Sequence, residues 1–366
     1  MSVEAPDIIS PQVEGINHSL ASFSATSQVS EDSRGKELEK QAKKVIILGA
    51  GISGLTTGIL LREKGYDAEI WTEKISPDTT SDVAGGVWFP YNVQGDGLTE
   101  ISRFTLERLK EQQREFGSGA TGIILSEVIE LKLEETKVDP WWRDAADNFH
   151  RPTKKELPPG YNDGFAFDAP VIDMTKYLDF LMDTFKGQGG SVKILSEKVT
   201  NIADVLNQSP IVVNCTGNGS RELLGDTEIY PARGQVLKVR PNGLRRILID
   251  EDTNPQKPTY IVPRQSDMVL GGSNEPDNHN PNPTDAETQS ILERCATLDP
   301  SIAKITPDQI IGPKVGFRPN RRSIRLEGEN PTPEKLLVHN YGHGGSGITL
   351  SWGCANEVVK IVDRFH

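Results

Sequence analysis

The sequence predicts an α/β protein in which a Rossmann-type domain with a mainly parallel sheet is interleaved with a domain built on an antiparallel sheet. Three features lead there. The apolar run Val45-Ile46-Ile47-Leu48 stops on Gly49-Ala50-Gly51-Ile52-Ser53-Gly54 and opens directly into a helical pattern. A second strand, Ala68-Glu69-Ile70-Trp71-Thr72-Glu73, ends on an acid about twenty residues further on, which completes a βαβ unit. Strands rich in Val and Ile then recur at 235–240, 259–263 and 268–271 between turn residues, as in an antiparallel sheet.

Taken in order, residues 1–40 are rich in Ser, Glu, Gln and Pro without apolar periodicity. They are expected to form a flexible extension, with a short charged helix conceivable over Glu31 to Lys44, because they bury too little surface to offset ordering entropy. Val45 to Leu48 reads as a strand buried on both faces. Ile52 to Lys64 reads as a helix with Leu55, Ile59 and Leu60 on one face and Gly65 in the C-cap position. In the turn between them, Gly49 permits the bend, Gly51 lets backbone approach a pyrophosphate, and Gly54 lets the helix pack on the strand. The helix N-terminus offers N–H groups and a positive dipole to phosphate, and Glu73 has the spacing of a ribose-binding acid. This unit reads as a dinucleotide site.

Thr99 to Phe116 is an amphipathic helix by pattern, and 139–168 reads as a loop-rich insertion on the substrate side. Met174 to Lys186 places Tyr177, Leu178, Leu181 and Phe185 at helical spacing, and Ser191 to Leu195 is a returning strand. Ile211-Val212-Val213-Asn214 is a buried strand expected to rejoin the first sheet, and Ser346 to Phe365 is a helix opened by glycines. The expected division is 44–100, 190–220 and 312–366 in the cofactor domain, with 101–189 and 221–311 in the substrate domain.

Charge narrows the partners. With 40 Lys and Arg against 52 Asp and Glu in 366 residues, the net charge of -12 argues against nucleic acid or an anionic membrane as the main partner. Cys215, Cys295 and Cys354 are spaced for neither zinc nor a disulfide framework, which points to a reducing compartment and no metal. There is no apolar run of the roughly 18 to 20 residues needed to span a bilayer, no signal-peptide pattern, and no peroxisomal tripeptide at Arg364-Phe365-His366. Cytoplasm is the default expectation. A homodimer is compatible with the sequence, which does not fix oligomeric state.

The chemistry becomes specific in four motifs. Thr79-Thr80-Ser81-Asp82-Val83-Ala84-Gly85-Gly86-Val87-Trp88-Phe89-Pro90-Tyr91 offers hydroxyls and amides for phosphate and small residues beside which a flat ring fits. It resembles the Thr-Thr-x-Asp-Val-Ala-x-Gly-x-Trp-x-Pro-Tyr signature of the D-amino acid oxidase family. Arg233-Gly234-Gln235, Gly316-Phe317-Arg318-Pro319-Asn320-Arg321 and His339-Asn340-Tyr341-Gly342-His343-Gly344-Gly345-Ser346-Gly347 resemble three further motifs of that family in the same order. The resemblance runs from about Lys44 to the C-terminus.

That resemblance implies FAD as cofactor and a D-amino acid as substrate, oxidatively deaminated by hydride transfer from Cα to flavin N5, with dioxygen giving hydrogen peroxide. It implies cofactor contacts at Gly49, Ala50, Gly51, Ile52, Ser53, Gly54, Glu73 and Lys74. Thr80, Ser81, Gly86, Val87 and Trp88 follow, and Val199 is expected on a short strand at the adenine side, with Thr216 and Gly217 near the pyrophosphate. Gly344, Gly345, Ser346, Gly347, Ile348 and Thr349 are expected at the flavin edge. Arg318, a planar fork suited to a carboxylate, and Tyr260 are the implied α-carboxylate ligands, with Ser346 on the substrate side. No side chain is expected to act as acid or base; the flavin carries the redox step.

Departures matter too. Gln256 stands where mammalian members carry a lid tyrosine and is given no role. Leu270-Gly271-Gly272 is followed by Ser273-Asn274-Glu275 without the arginine that D-aspartate oxidases place there, so neutral D-amino acids are expected over D-aspartate. A D-aspartate oxidase, or a glycine or amine oxidase or dehydrogenase of the same fold, is the alternative. Arg264 is read as a turn residue with some chance of reaching inward, Arg321, Arg322 and Arg325 as a solvated or ion-paired face, and His343 as a satisfied structural histidine.

Overall fold

The computed structural model describes residues 43–91 and 93–365. The expected extension over 1–40 lies outside the described residues.

Strand β1 (Lys44–Leu48) is flanked by β2 (Asp67–Thr72) and β7 (Ile211–Asn214), both parallel to it, and Val45 to Leu48 are at most 1% exposed. With β6 (Ser191–Ile194), β14 (Arg325–Thr332) and β15 (Lys335–Tyr341) they form a six-stranded sheet ordered β14-β15-β7-β1-β2-β6. Only β14 runs antiparallel to its neighbour. Helix α1 (Ile52–Glu63) is buried along almost all of its circumference, more than the single face expected from sequence. Sheet contacts cover one side. On another, the Thr56 hydroxyl donates to the Ser351 carbonyl of helix α7 (Gly347–Phe365) at 3.3 Å, and Gly58 leaves room for the Phe185 ring of α3 (Met174–Gly187).

The second sheet has nine strands, antiparallel except where β3 (Ile123–Lys132) meets β9 (Ile247–Asp250). Its path is β12 (Glu275–Pro276), β8 (Tyr230–Val239), β11 (Met268–Gly271), β10 (Thr259–Pro263), β9, β3, β5 (Asp163–Ile172) and β4 (Asp147–His150). The 139–168 segment is therefore less of a loop than expected. Its aromatic residues build a packed cluster in which the Trp142 and Phe167 rings lie 4.8 Å apart, and β5 pairs with β3 along ten residues.

A second correction concerns 312–320. Strand β13 (Ile310–Asn320) pairs with β8 throughout, so the chain returns to the six-stranded sheet at β14 and not at 312. Helix α2 (Leu98–Thr121) runs a turn past the expected Phe116, bent where Gly117 adopts φ 75°. The short helices α4 (Ile202–Leu206) and α5 (Ser220–Leu224) flank β7, and α6 (Asp285–Leu298) packs behind β10 and β11, where its Cys295 thiol donates to the Tyr260 carbonyl. Among the described residues no helix is long and apolar enough to cross a membrane.

Candidate active site

A cavity of about 590 Å³ begins at the carboxyl ends of β1, β2, β7 and β15 and continues over the face of the nine-stranded sheet. Carboxyl ends of parallel strands are where open α/β sheets receive ligands. Gly49, at φ 104°, sits so close to β7 that a Cβ would stand 2.7 Å from the Cys215 carbonyl oxygen. A Cβ on Gly54 would overlap the Gly49 carbonyl itself, which is the close helix-on-strand packing the spacing implies. The Ile52 amide donates to the Ser81 hydroxyl at 3.1 Å, tying the Thr79–Tyr91 segment to the start of α1.

The wall contains Gly49 to Ser53, the exposed pair Glu73 and Lys74 just past β2, Thr80, Ser81, Gly86, Val87, Val199, Thr216, Gly217, Gly344, Gly345, Gly347 and Ile348. Val199 reaches it from irregular chain after β6 and not from the strand expected.

Three expected contacts are otherwise engaged. Trp88 is fully buried and its indole donates to the Ser102 carbonyl at 2.9 Å. Thr349 uses its hydroxyl on both sides of Phe89, accepting from the amide at 3.0 Å and donating to the carbonyl at 2.8 Å. Ser346 is fully buried, donates to the Tyr91 carbonyl at 2.7 Å and does not line the cavity, so its side chain fastens the loop.

The far end of the cavity is built on β strands. Arg318 on β13 reaches across β8, and a Cβ at Gly234 would stand 2.5 Å from its Nη1. Its Nη1 donates to the Ser273 carbonyl at 2.9 Å, its guanidinium lies 5.8 Å from the Tyr91 ring centroid, and it has no ion-pair partner among the described residues. Tyr260 lies beside Arg318, over Gly271 and Gly272, where any side chain would collide with its ring or hydroxyl. Burial raises the Tyr260 pKa, so the phenol stays protonated. Phe89, Val236, Ile249 and Val262 supply apolar wall. Sequence reasoning gave no role to Tyr91 or Glu251, both of which line this end.

Other arginines are committed elsewhere. Arg264 sits in the turn between β10 and β11, as read, and its side chain does turn inward without lining the cavity: it is 0% exposed and donates from Nε and Nη2 to Asp267 at 2.6 Å each. Arg321 pairs with Asp226 and Glu228, and Arg325 with Glu327 and Glu329, while Arg322 is exposed. His343 is only half satisfied. Its Nδ1 lies 3.5 Å from the Ser53 hydroxyl, and burial holds its pKa near 4, so it is neutral at ordinary pH.

Trp71 Nε1, Asn218 Oδ1, Asn340 Oδ1 and His343 Nε2 are buried without a protein partner, and all four residues line the cavity. Buried polar atoms are normally paired, so this row fits a long ligand with hydrogen-bonding groups along its length. In the glycine loop, Gly345 packs so closely on Tyr91 that a Cβ would overlap the ring. The two ends are linked: the Gly344 amide donates to the Pro319 carbonyl at 3.0 Å, and the Asn218 amide to the Phe317 carbonyl at 2.9 Å.

Fold and site together define a dinucleotide-binding protein whose cofactor cleft opens onto the face of an antiparallel sheet. Residues 44–361 match the FAD dependent oxidoreductase family. The chain is 37% identical over 318 residues to a D-amino-acid oxidase of Rubrobacter xylanophilus, covering 87% of this chain and 95% of that protein. It is 39% identical over 325 residues to a D-amino-acid oxidase of Dictyostelium discoideum, covering 87% and 91%. A glycine oxidase structure from Geobacillus kaustophilus shares the fold, with TM-score 0.71 at 20% identity over 87% of this chain and 94% of that one. The chain belongs to the FAD-dependent oxidoreductase family, among the D-amino-acid oxidases, and FAD is its cofactor.

Proposed function

We propose that this chain oxidises neutral D-amino acids to 2-oxo acids, ammonia and hydrogen peroxide. The observation that carries the reading is Arg318: a partly buried guanidinium on the cavity wall, without an acid of its own, beside the Tyr260 hydroxyl. Such a fork leaves two parallel N–H groups for a carboxylate, and the phenol adds a donor. Together they hold the α-carboxylate and fix which face of Cα turns toward the cofactor cleft.

Gly49 to Ser53 and Thr216 to Gly217 bring backbone to the pyrophosphate, Glu73 takes the ribose, and the loop from Gly344 to Ile348 brings backbone to the flavin edge. Bound FAD supplies the electron acceptor for the bond broken at Cα, with dioxygen as the final oxidant. Phe89, Val236, Ile249 and Val262 exclude water from that region, which strengthens the carboxylate contacts. In this reading the six-stranded sheet serves the cofactor and the nine-stranded sheet the substrate. The unpaired cysteines Cys215, Cys295 and Cys354, all buried, fit a reducing compartment such as the cytoplasm.

The test is a panel of D- and L-amino acids with peroxide detection on purified yellow protein. D-alanine, D-valine and D-methionine are expected to be oxidised and their L-isomers not. Faster turnover of D-aspartate than of these three would overturn the neutral preference, and full activity of Arg318→Ala would overturn the site.

A further inference from the structure

One acid on the cavity wall has nothing to pair with. Ile249, near the end of β9, and Glu251, just past it, both line the cavity, as alternation along an extended chain requires for residues two apart. The other acids of that corner are accounted for. Asp250 accepts the Tyr161 hydroxyl at 2.8 Å and the amides of Asp252 and Thr253 at 3.0 Å each. Glu130 and Asp252 pair with Lys132 at 2.8 and 3.2 Å. Among the described residues the Glu251 side chain makes neither a hydrogen bond nor an ion pair.

Its electrostatic neighbours include Arg318, Tyr91 and Tyr260, the groups around the carboxylate grip. Across the sheet, Arg318 stands on β13 and Glu251 follows β9, with β8, β11 and β10 between them. The substrate end of the cavity thus presents a guanidinium at one side, the Tyr260 phenol in the middle strands and a carboxyl at the other. A ligand whose carboxylate sits on Arg318 meets Glu251 with its opposite end.

Resting on the D-amino acid reading above, we propose that Glu251 reads the substrate side chain, accepting D-amino acids with a cationic or hydrogen-bond-donating terminus and repelling D-aspartate and D-glutamate. D-lysine, D-ornithine and D-arginine have the required chemistry. Desolvation pushes the Glu251 carboxyl up to about 8, with Glu130 and Asp250 raising it and Lys132 and Arg318 opposing. An acid that ionises at such a cost is one that a ligand cation stabilises most. The two cations that oppose, Lys132 and Arg318, form no ion pair with Glu251: Lys132 is held by Glu130 and Asp252, and Arg318 donates to the Ser273 carbonyl. The alternative occupant of the same carboxyl is the α-amino group, which every substrate carries.

D-lysine and its neutral isostere D-norleucine separate these cases. The FAD-loaded enzyme is assayed at about pH 9, above the Glu251 value and below the Lys side-chain pKa of about 10.4. The ratio of kcat/KM for D-lysine over D-norleucine is expected to fall at least about tenfold in Glu251→Gln, and the ratio for D-aspartate over D-alanine to rise. Binding of the same two ligands, followed anaerobically by perturbation of flavin absorbance, is expected to show the same change without turnover. An unchanged ratio, including a uniform loss on all substrates, overturns the proposal in favour of an α-amine contact. Selective D-lysine binding that depends on Glu251 but yields no peroxide leaves side-chain reading standing and overturns the oxidase reading instead.

Discussion

Gly234→Ala perturbs Arg318 without altering it. A Cβ at 234 would stand 2.5 Å from Nη1 and 2.9 Å from both Cζ and Nη2 of Arg318, so the guanidinium must leave its place across β8. The collision is with the free end of a flexible side chain, and Gly234 has no left-handed φ for alanine to strain. The sheet should therefore survive, with stability changed by less than about 1 kcal/mol. Displacing a charge-assisted carboxylate grip costs about 1.5 to 3 kcal/mol. At about 1.4 kcal/mol per factor of ten, kcat/KM for D-alanine should drop by about 10 to 150-fold. Peroxide-coupled kinetics and urea unfolding on the same preparation measure both numbers. Wild-type kcat/KM in a correctly folded Gly234→Ala protein would refute the assignment of Arg318, and a large fall in unfolding midpoint would refute the claim that the clash is local.

Other substitutions probe the frame around the site. Gly54→Ala places Cβ against the Gly49 carbonyl, backbone against backbone, and should lower stability by more than about 3 kcal/mol and strip FAD; full flavin content after purification would contradict this. Asp267→Ala leaves Arg264 buried and uncompensated and should destabilise by about 3 to 5 kcal/mol in urea unfolding, whereas a change under about 1 kcal/mol would show the pair to be dispensable. His343 titrates near 4 in the folded protein and near 6.5 unfolded, so the unfolded state takes up the proton first on acidification. Its contribution is present above pH 6.5 and lost as pH falls toward 4, about 3 kcal/mol in all, and His343→Gln should flatten the pH dependence of unfolding in that window. Glu251 acts in the opposite sense. Its raised pKa means stability falls as pH rises from about 4.5 to 8, and Glu251→Gln should be the more stable protein at pH 8.

What could be read from the sequence was mostly local. A run such as Val45 to Leu48 closing on a glycine turn has few alternatives, because only a strand buried on both faces uses four consecutive apolar residues ahead of a phosphate-type turn. Strand β13 was harder, since Gly312, Pro313, Gly316 and Pro319 all read as strand breakers. It persists because it pairs with β8 alone among the described strands, and an edge strand does not need the N–H groups that proline lacks. Arg318 and Tyr260 were found through motif and residue chemistry. Trp88 and Ser346 were found as motif members and Thr349 as a residue just past the glycine motif, but their side chains serve backbone groups, a distinction only the folded arrangement makes. Glu251 gave no signal at all: Asp250-Glu251-Asp252 looks like a solvated acidic turn until β9 is known to end there and to turn alternate residues into the cavity.

The hydrogen bond from Gly344 to the Pro319 carbonyl, with that from Asn218 to the Phe317 carbonyl, makes one rigid gauge of the cofactor loop and the strand that carries Arg318. The β14–β15 hairpin intervenes between them in the chain, and its exposed tip at 332–334 lies at the amino end of β15, the end away from the glycine loop. Its length can drift across descendants without changing where a bound carboxylate sits relative to the cleft. Retuning the substrate has to happen on the opposite shore, along β9 and β10, where Ile249, Glu251 and Val262 can change while the gauge and the Tyr260 phenol stay fixed. A library confined to those three positions is the economical route to new D-amino acid preferences, because it leaves the distance between donor and acceptor untouched.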